Sequence, residues 1–348
     1  MQRLKSTLIF LLKIVLSLGI LSFLIWQAWE QKDAAGNRVM SALWERPMDW
    51  FRLGAGFALT FLAVLLTILR WGALIGTLGL KVRLADNLRF GYVGYLFNLA
   101  PAGIVSGDAL KTWLLARRYK DHPEVGSLLI AAAVLDRMIG LYALFMMAGL
   151  AVLAAGVLTN PETSSVMHSI SVGVLIAWGV GTVAALAVFL PADRKKTAED
   201  SEDGETEKSR FLVVLGNIVR YCRMYRNYPG PLCGFLVWSL LVHTCFAFSI
   251  FMIAQGVWGR EQSPNVSQML FISPTSMSTS AIPLPVGPYE AVLDLMYKDV
   301  TGVAGQGLVV ALAYRVMCLI LASLGLIFYF TDRREIRETM SENAAEQK

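Results

Sequence analysis

The feature that most constrains this chain is the recurrence of apolar runs long enough to cross a bilayer. A crossing helix needs about 20 predominantly apolar residues. Leu8–Trp29, Leu53–Leu80, a stretch within Gly126–Leu158, Met167–Leu190, Pro231–Trp258 and Val303–Phe330 all meet that length. In lipid every backbone N–H and C=O must be satisfied within the segment, so such runs are helices. Composition agrees: 55% of the 348 residues are hydrophobic, only 16% are charged, and mean hydropathy is +0.54. Average soluble domains are about 25% charged. A disordered chain, a collagen-like chain and an ordinary cytosolic enzyme are excluded. The expected fold class is an all-α polytopic membrane protein with about six spanning helices.

Leu8–Trp29 follows Arg3 and Lys5 as a signal peptide would. Its apolar core is too long for one, no small-x-small cleavage site follows, and Trp26 and Trp29 suit the interface, so it reads as a retained span. The basic residues sort by side. The N-terminal segment, the 70–124 and 192–226 loops and the tail hold 23 of the 31 Lys and Arg, and the opposite loops hold 6. That bias places the protein in the (inner) cell membrane with both termini cytoplasmic. The net charge of +5 is therefore read as membrane sidedness, and no nucleic acid partner is expected.

The polar, mixed-charge stretch 193–210 (DRKKTAEDSEDGETEKSR) reads as a flexible cytoplasmic linker. It divides an N-terminal membrane half, 1–192, from a C-terminal half, 211–332, with a cytoplasmic tail at 333–348. After the linker, Phe211–Tyr228 carries Arg220, Arg223 and Arg226 and is expected to lie on anionic inner-leaflet lipids. Arg117, Arg118 and Lys120 read the same way. The four cysteines are not in C-x-x-C spacing, the three histidines are scattered, and no Walker loop, G-x-S-x-G or H-E-x-x-H occurs. No metal, cofactor or recognisable catalytic motif is expected.

Two segments are neither span nor loop. Residues 262–289 lack charge over 28 positions yet contain six Ser, two Thr and five Pro. Pro274, Pro283, Pro285 and Pro288 each remove a backbone donor, which a lipid-exposed helix cannot tolerate so densely. Non-helical backbone survives at membrane depth only when buried in protein or lining a wet cavity. Residues 86–108, Gly-rich and interrupted at Pro101, look similar. Both read as re-entrant or broken-helix segments, entering from opposite faces. Pro101-Ala-Gly-Ile-Val-Ser-Gly-Asp108 aligns without gaps with Pro283-Leu-Pro-Val-Gly-Pro-Tyr-Glu290. In each a Pro/Gly break precedes an acid expected to open a helix. Paired interrupted segments point to a transporter site on inverted repeats; a chance recurrence of P-x6-[DE]-A is the alternative. The breaks are assigned to Pro101, Gly103, Gly107, Pro283, Pro285 and Gly287.

The candidate substrate-binding or gating residues are Asp108, Glu290, Arg137, Arg315, Lys111 and Asn98. The acids either contact a charged headgroup or cap a helix. Lys111, at i+3 from Asp108, either pairs with it or holds a lipid phosphate. Arg137 and Arg315 lie inside spans, where an unpaired charge costs about 3 kcal/mol or more. Asp136 points away from the adjacent Arg137, so Arg137 is expected to face Glu290, Asp294, a helix carbonyl end or a lipid phosphate. Asn98 is expected to cap exposed backbone at the first break, and His243 to be a packing residue.

The stretch Phe97-Asn98-Leu-Ala-Pro101-Ala-Gly103-Ile-Val-Ser-Gly107-Asp108-Ala-Leu-Lys111 resembles the N-x-x-P-G-G-x-G-G-D-x-x-R motif in the flippase-like membrane domain of lysyl-phosphatidylglycerol synthases. Ala132-Ala-Val-Leu-Asp136-Arg137-Met-Ile-Gly140-Leu is similar to that family's L-x-x-R-x-x-G span, Pro283–Glu290 to its second break, and Tyr314-Arg315 to its late-span Arg. The resemblance covers roughly residues 8–330. Ala102, Ser106, Lys111, Pro285 and Pro288 depart from the pattern and stiffen the backbone at the breaks. In bifunctional relatives a cytosolic acyltransferase-like domain follows; the 18 residues after Phe330 are too few for it. The resemblance implies the translocating part, moving a phospholipid or glycolipid headgroup between leaflets and no enzyme, served by a separate lipid-synthesising enzyme. The alternatives are an enzyme acting on a lipid or polyprenyl phosphate and a non-catalytic assembly protein.

Overall fold

The computed structural model describes residues 19–20, 22–30, 41, 43, 46–99, 104–122, 124–160, 163–189, 219–279, 282, 284 and 286–331. The linker 193–210, the tail 333–348 and most of the first expected span lie outside them, as do Pro101, Gly103, Pro283 and Pro285. Residues 22–30, at the end of that span, are helical.

The described residues form helices and no strand. They are α1 (Trp50–Thr77), α2 (Leu84–Leu99), α3 (Ile104–Arg118), α4 (Val125–Ala154), α5 (Ser165–Phe189), α6 (Pro229–Trp258), α7 (Val266–Ser278), α8 (Pro288–Thr301) and α9 (Gln306–Thr331). Among the described residues five of them, α1, α4, α5, α6 and α9, are long and apolar enough to cross a membrane. At 1.5 Å per residue the 28 residues of α1 reach about 42 Å. The protein is a multi-pass all-α membrane protein.

The remaining helices are shorter. α2 and α3 have 16 and 15 residues, and α7 and α8 have 13 and 14. Each pair packs together as a helix–break–helix hairpin, the geometry a re-entrant segment requires. The hairpins extend beyond 86–108 and 262–289, because a helix continues past each acid. Pro274 sits inside α7 rather than at a break. Its helix is tolerated because it is buried in protein: Phe271 to Met277 are all buried, and the Ser276 hydroxyl donates to the Ile272 carbonyl at 2.8 Å.

The order long, short, short, long occurs twice, as α1–α4 and α6–α9. The step of 182 positions from Asp108 to Glu290 also separates the starts of α2 and α7, Leu84 and Val266. α1 and α6 form the most extensive contact and run antiparallel: Gly56 meets Ser249 and Ile253, the Thr60 and Ser249 hydroxyls lie 2.6 Å apart, and Arg70 reaches Ser239. Each hairpin follows its own long helix, so the hairpins enter from opposite ends of this pair. The other packing repeats in kind: α2 lies on α9 as α7 lies on α4, and α3 on α4 as α8 on α9. This is the arrangement of an inverted repeat.

Two apolar cores sit at opposite ends. One gathers Trp71, Leu74, Phe90, Leu115, Leu129 and Leu135 around the first hairpin. The other gathers Ile250, Ile253, Met269, Ile272, Leu293 and Met296 around the second. Residues 219–223, from the expected surface segment, form helix, and Tyr225 just after them is buried in the first core, where its hydroxyl donates to the Leu74 carbonyl at 3.0 Å.

Candidate functional site

Each half builds an ion pair from its hairpin and its last long helix. In the first, Asp108 lies on α3 and Arg137 on α4, and the Arg137 guanidinium donates to Asp108 Oδ2. In the second, Glu290 lies on α8 and Arg315 on α9, and Arg315 donates to Glu290 Oε1. The structure thus brings four of the six expected residues together in two matched pairs. Arg137 does not face Glu290 or Asp294 as the sequence suggests. Asp294 instead accepts the backbone N–H groups of Gly305 (2.8 Å) and Leu308 (3.0 Å), holding the entry to α9.

The two acids do different local jobs. Glu290 is the third residue of α8, fully buried, and its Oε2 accepts the Gly287 N–H at 2.7 Å. It caps its helix and neutralises Arg315 with its two oxygens. Gly287 is indeed at the break, with φ +117°, a conformation L residues rarely adopt. Asp108 is the fifth residue of α3 and does not open it. Its oxygens face side chains: Lys111 Nζ at 2.9 Å, Arg137, and Asn98 Nδ2 at 3.5 Å. Asn98 therefore faces the acid, and the break it was expected to cap lies outside the described residues. Lys111 is doubly held, because its ammonium also sits 4.4 Å from the centre of the Trp71 ring.

Gly107 is not part of the break either. It lies inside α3, and a Cβ there would overlap the Gly94 carbonyl and the Asn98 side chain. Its role is to let α2 and α3 approach closely enough for Asn98 to reach Asp108.

The structure adds a group that the sequence left unpartnered. Arg70, buried in α1, donates from Nε to Asp136 Oδ1 at 2.9 Å, from Nη1 to the Ser239 hydroxyl, and from Nη2 to the Asp136 carbonyl at 3.3 Å. The pair is almost inaccessible, with side chains 4% and 8% exposed. Arg70 belongs to a span and not to the 70–124 loop; moving it leaves the charge bias strongly one-sided. One turn on, His243 Nε2 lies 2.9 Å from the Gly140 carbonyl. These contacts clamp residues 136–140 of α4 to α1 and α6, and Arg137 projects from that clamped turn. The signal was available: Arg70 and Asp136 are opposite charges in neighbouring spans, and burying either alone is costly.

Aromatic residues surround the second pair. Tyr95 of α2 lies close enough to Cys318 and Arg315 to interact electrostatically with both, and the Tyr289 and Tyr314 rings are 5.9 Å apart. α2 therefore carries Asn98 at the first pair and Tyr95 beside the second. No group of three or more His, Cys, Asp or Glu positioned to hold a metal occurs among the described residues.

Comparison with known proteins gives one match: the family model described as the lysylphosphatidylglycerol synthase TM region covers residues 10–325. No curated protein and no solved structure matches the chain.

Proposed function

The chain belongs to the family of the lysylphosphatidylglycerol synthase TM region, and from that premise we propose that it is a lipid translocase, moving a phospholipid or glycolipid headgroup between leaflets without chemistry. The observation that carries this reading is the matched pair of acid–arginine contacts. Each joins an interrupted hairpin to the long helix after it, and the two hairpins enter from opposite ends of the antiparallel α1–α6 pair. Rocking one repeat against the other would expose a polar site to one leaflet and then the other. Arg137 is suited to a headgroup phosphate and Asp108 to holding it while no lipid is bound, and Glu290–Arg315 is suited to anchoring α8 on α9. In this reading the 70–124 and 192–226 loops face the cytoplasm, and a separate enzyme supplies the lipid.

The test is leaflet exchange in proteoliposomes containing headgroup-labelled lipids, read by an impermeant quencher. The wild type should exchange at least one lipid, and the folded Asp108→Asn/Glu290→Gln double variant should not. Equal exchange by both proteins would remove the acids from the mechanism. No exchange of any lipid by folded wild type would overturn the translocase and favour an enzyme acting on a lipid phosphate.

A further inference from the structure

The two acid–arginine pairs differ in charge count. Glu290 meets one guanidinium. Asp108 meets two cations, Lys111 and Arg137. The cations are not equivalent. Lys111 is buried between Asp108 and the Trp71 face, with its side chain 12% exposed, whereas the Arg137 side chain is 47% exposed. If Arg137 swings away, Asp108 keeps a resident counter-ion. If Arg315 swings away, the Gly287 N–H is the one partner Glu290 keeps among the described residues, in a fully buried position. Leaving a buried carboxylate without its cation is strongly unfavourable. The first pair can exchange its arginine for a ligand, and the second resists doing so.

The surroundings of Arg137 indicate the ligand. Ile130 and Leu141 share its face of α4 by helical spacing and are exposed. Apolar chains can lie along that face while an anionic head meets the guanidinium. Thr112, one turn beyond Asp108 on α3, has a buried hydroxyl with no partner among the described groups, so a further polar group sits beside the pair. Asp108, Lys111 and Arg137 together carry one net positive charge, which favours a headgroup of net negative charge over a neutral zwitterion.

Building on the translocase reading, we propose that Asp108, Lys111 and Arg137 form an exchangeable site for a lipid of net negative charge. Arg137 leaves Asp108 to bind the headgroup phosphodiester, and Lys111 stays behind as the counter-ion of Asp108. Selection of lipid class is made here and not at Glu290–Arg315. Lys111 acts as a positioning residue that does not touch the lipid.

The experiment is equilibrium binding to the purified full chain in nonionic detergent, using brominated phosphatidylglycerol or brominated phosphatidylcholine as a quencher of tryptophan fluorescence. Phosphatidylglycerol should bind about tenfold tighter, the size expected of one charge-assisted contact. Folded Arg137→Gln should lose that preference. Asp108→Asn should bind phosphatidylglycerol several-fold more tightly, because the competing carboxylate is gone. Lys111→Met should bind it more weakly, because Asp108 then retains Arg137. Weaker phosphatidylglycerol binding by Asp108→Asn, or an unchanged preference in Arg137→Gln, would overturn the site. Competition by excess sn-glycerol 3-phosphate at matched ionic strength would show that the ligand is a soluble phosphate and overturn the lipid assignment. The two readings fail separately. Phosphatidylglycerol preference without leaflet exchange sinks the translocase and keeps the site. Equal exchange of both lipids without preference sinks the site and keeps the translocase.

Discussion

Asp108 and Glu290 occupy equivalent places in two inverted halves, yet one carboxylate is wired for replacement and the other for permanence. Asp108 spends its oxygens on side chains from α2, α3 and α4. Glu290 spends one on its own helix cap and one on α9. The residue before each acid differs as sharply. Gly107 lets two helix backbones touch, whereas Tyr289 fills the same place with a buried ring packed on Tyr314. The difference teaches that repeat symmetry preserves the backbone plan and the charge pair, while the steric and electrostatic work of each half is set by its neighbours.

The comparison can be broken by four substitutions, all read as thermal or denaturant unfolding in one detergent. Arg315→Gln should have the largest effect, a loss of about 4 kcal/mol, because it strands the buried Glu290. A loss below that of Arg137→Gln would end the claim that the second pair is the permanent one. Tyr289→Ala should cost about 3 kcal/mol by leaving a cavity beside Tyr314. Gly107→Ala should cost about 2 kcal/mol for the opposite reason, an added methyl forced against Gly94 and Asn98. If the alanine is tolerated, the hairpin helices are not in obligatory contact. Arg137→Gln should cost less than about 1 kcal/mol, because its partner keeps Lys111 and the guanidinium is partly solvated. Leaflet exchange should reverse part of this ranking, with Arg137→Gln impaired far more in transport than in stability.

Arg70–Asp136 has no such partner in the second half: the 182-residue step carries Arg70 to Met252, an apolar residue. The first half therefore fixes α4 against α1 and α6 with a buried charge pair, and the second half relies on apolar packing at the repeat-equivalent position.

Much of this was legible in the residues. Apolar run lengths located α1, α4, α5, α6 and α9, because a bilayer demands length and internal hydrogen bonding from any crossing helix. Pro and Gly density marked both hairpins, since Pro cannot donate within a helix. The alignment of Asp108 with Glu290, and the choice of Arg137 and Arg315, identified the charged groups that now stand paired. What composition and spacing could not supply was who faces whom. Arg137 meets Asp108 across 29 positions, Arg70 meets Asp136 across 66, and Ser239 joins them from a helix 169 positions from Arg70. Local rules reach only a helical turn or two, so they placed Asp108 at the opening of its helix and Gly107 in the break. Run length and backbone chemistry act within a segment, and the sequence alone decides them. Which carboxylate keeps a spare cation depends on how separate helices pack, and only the tertiary structure decides that.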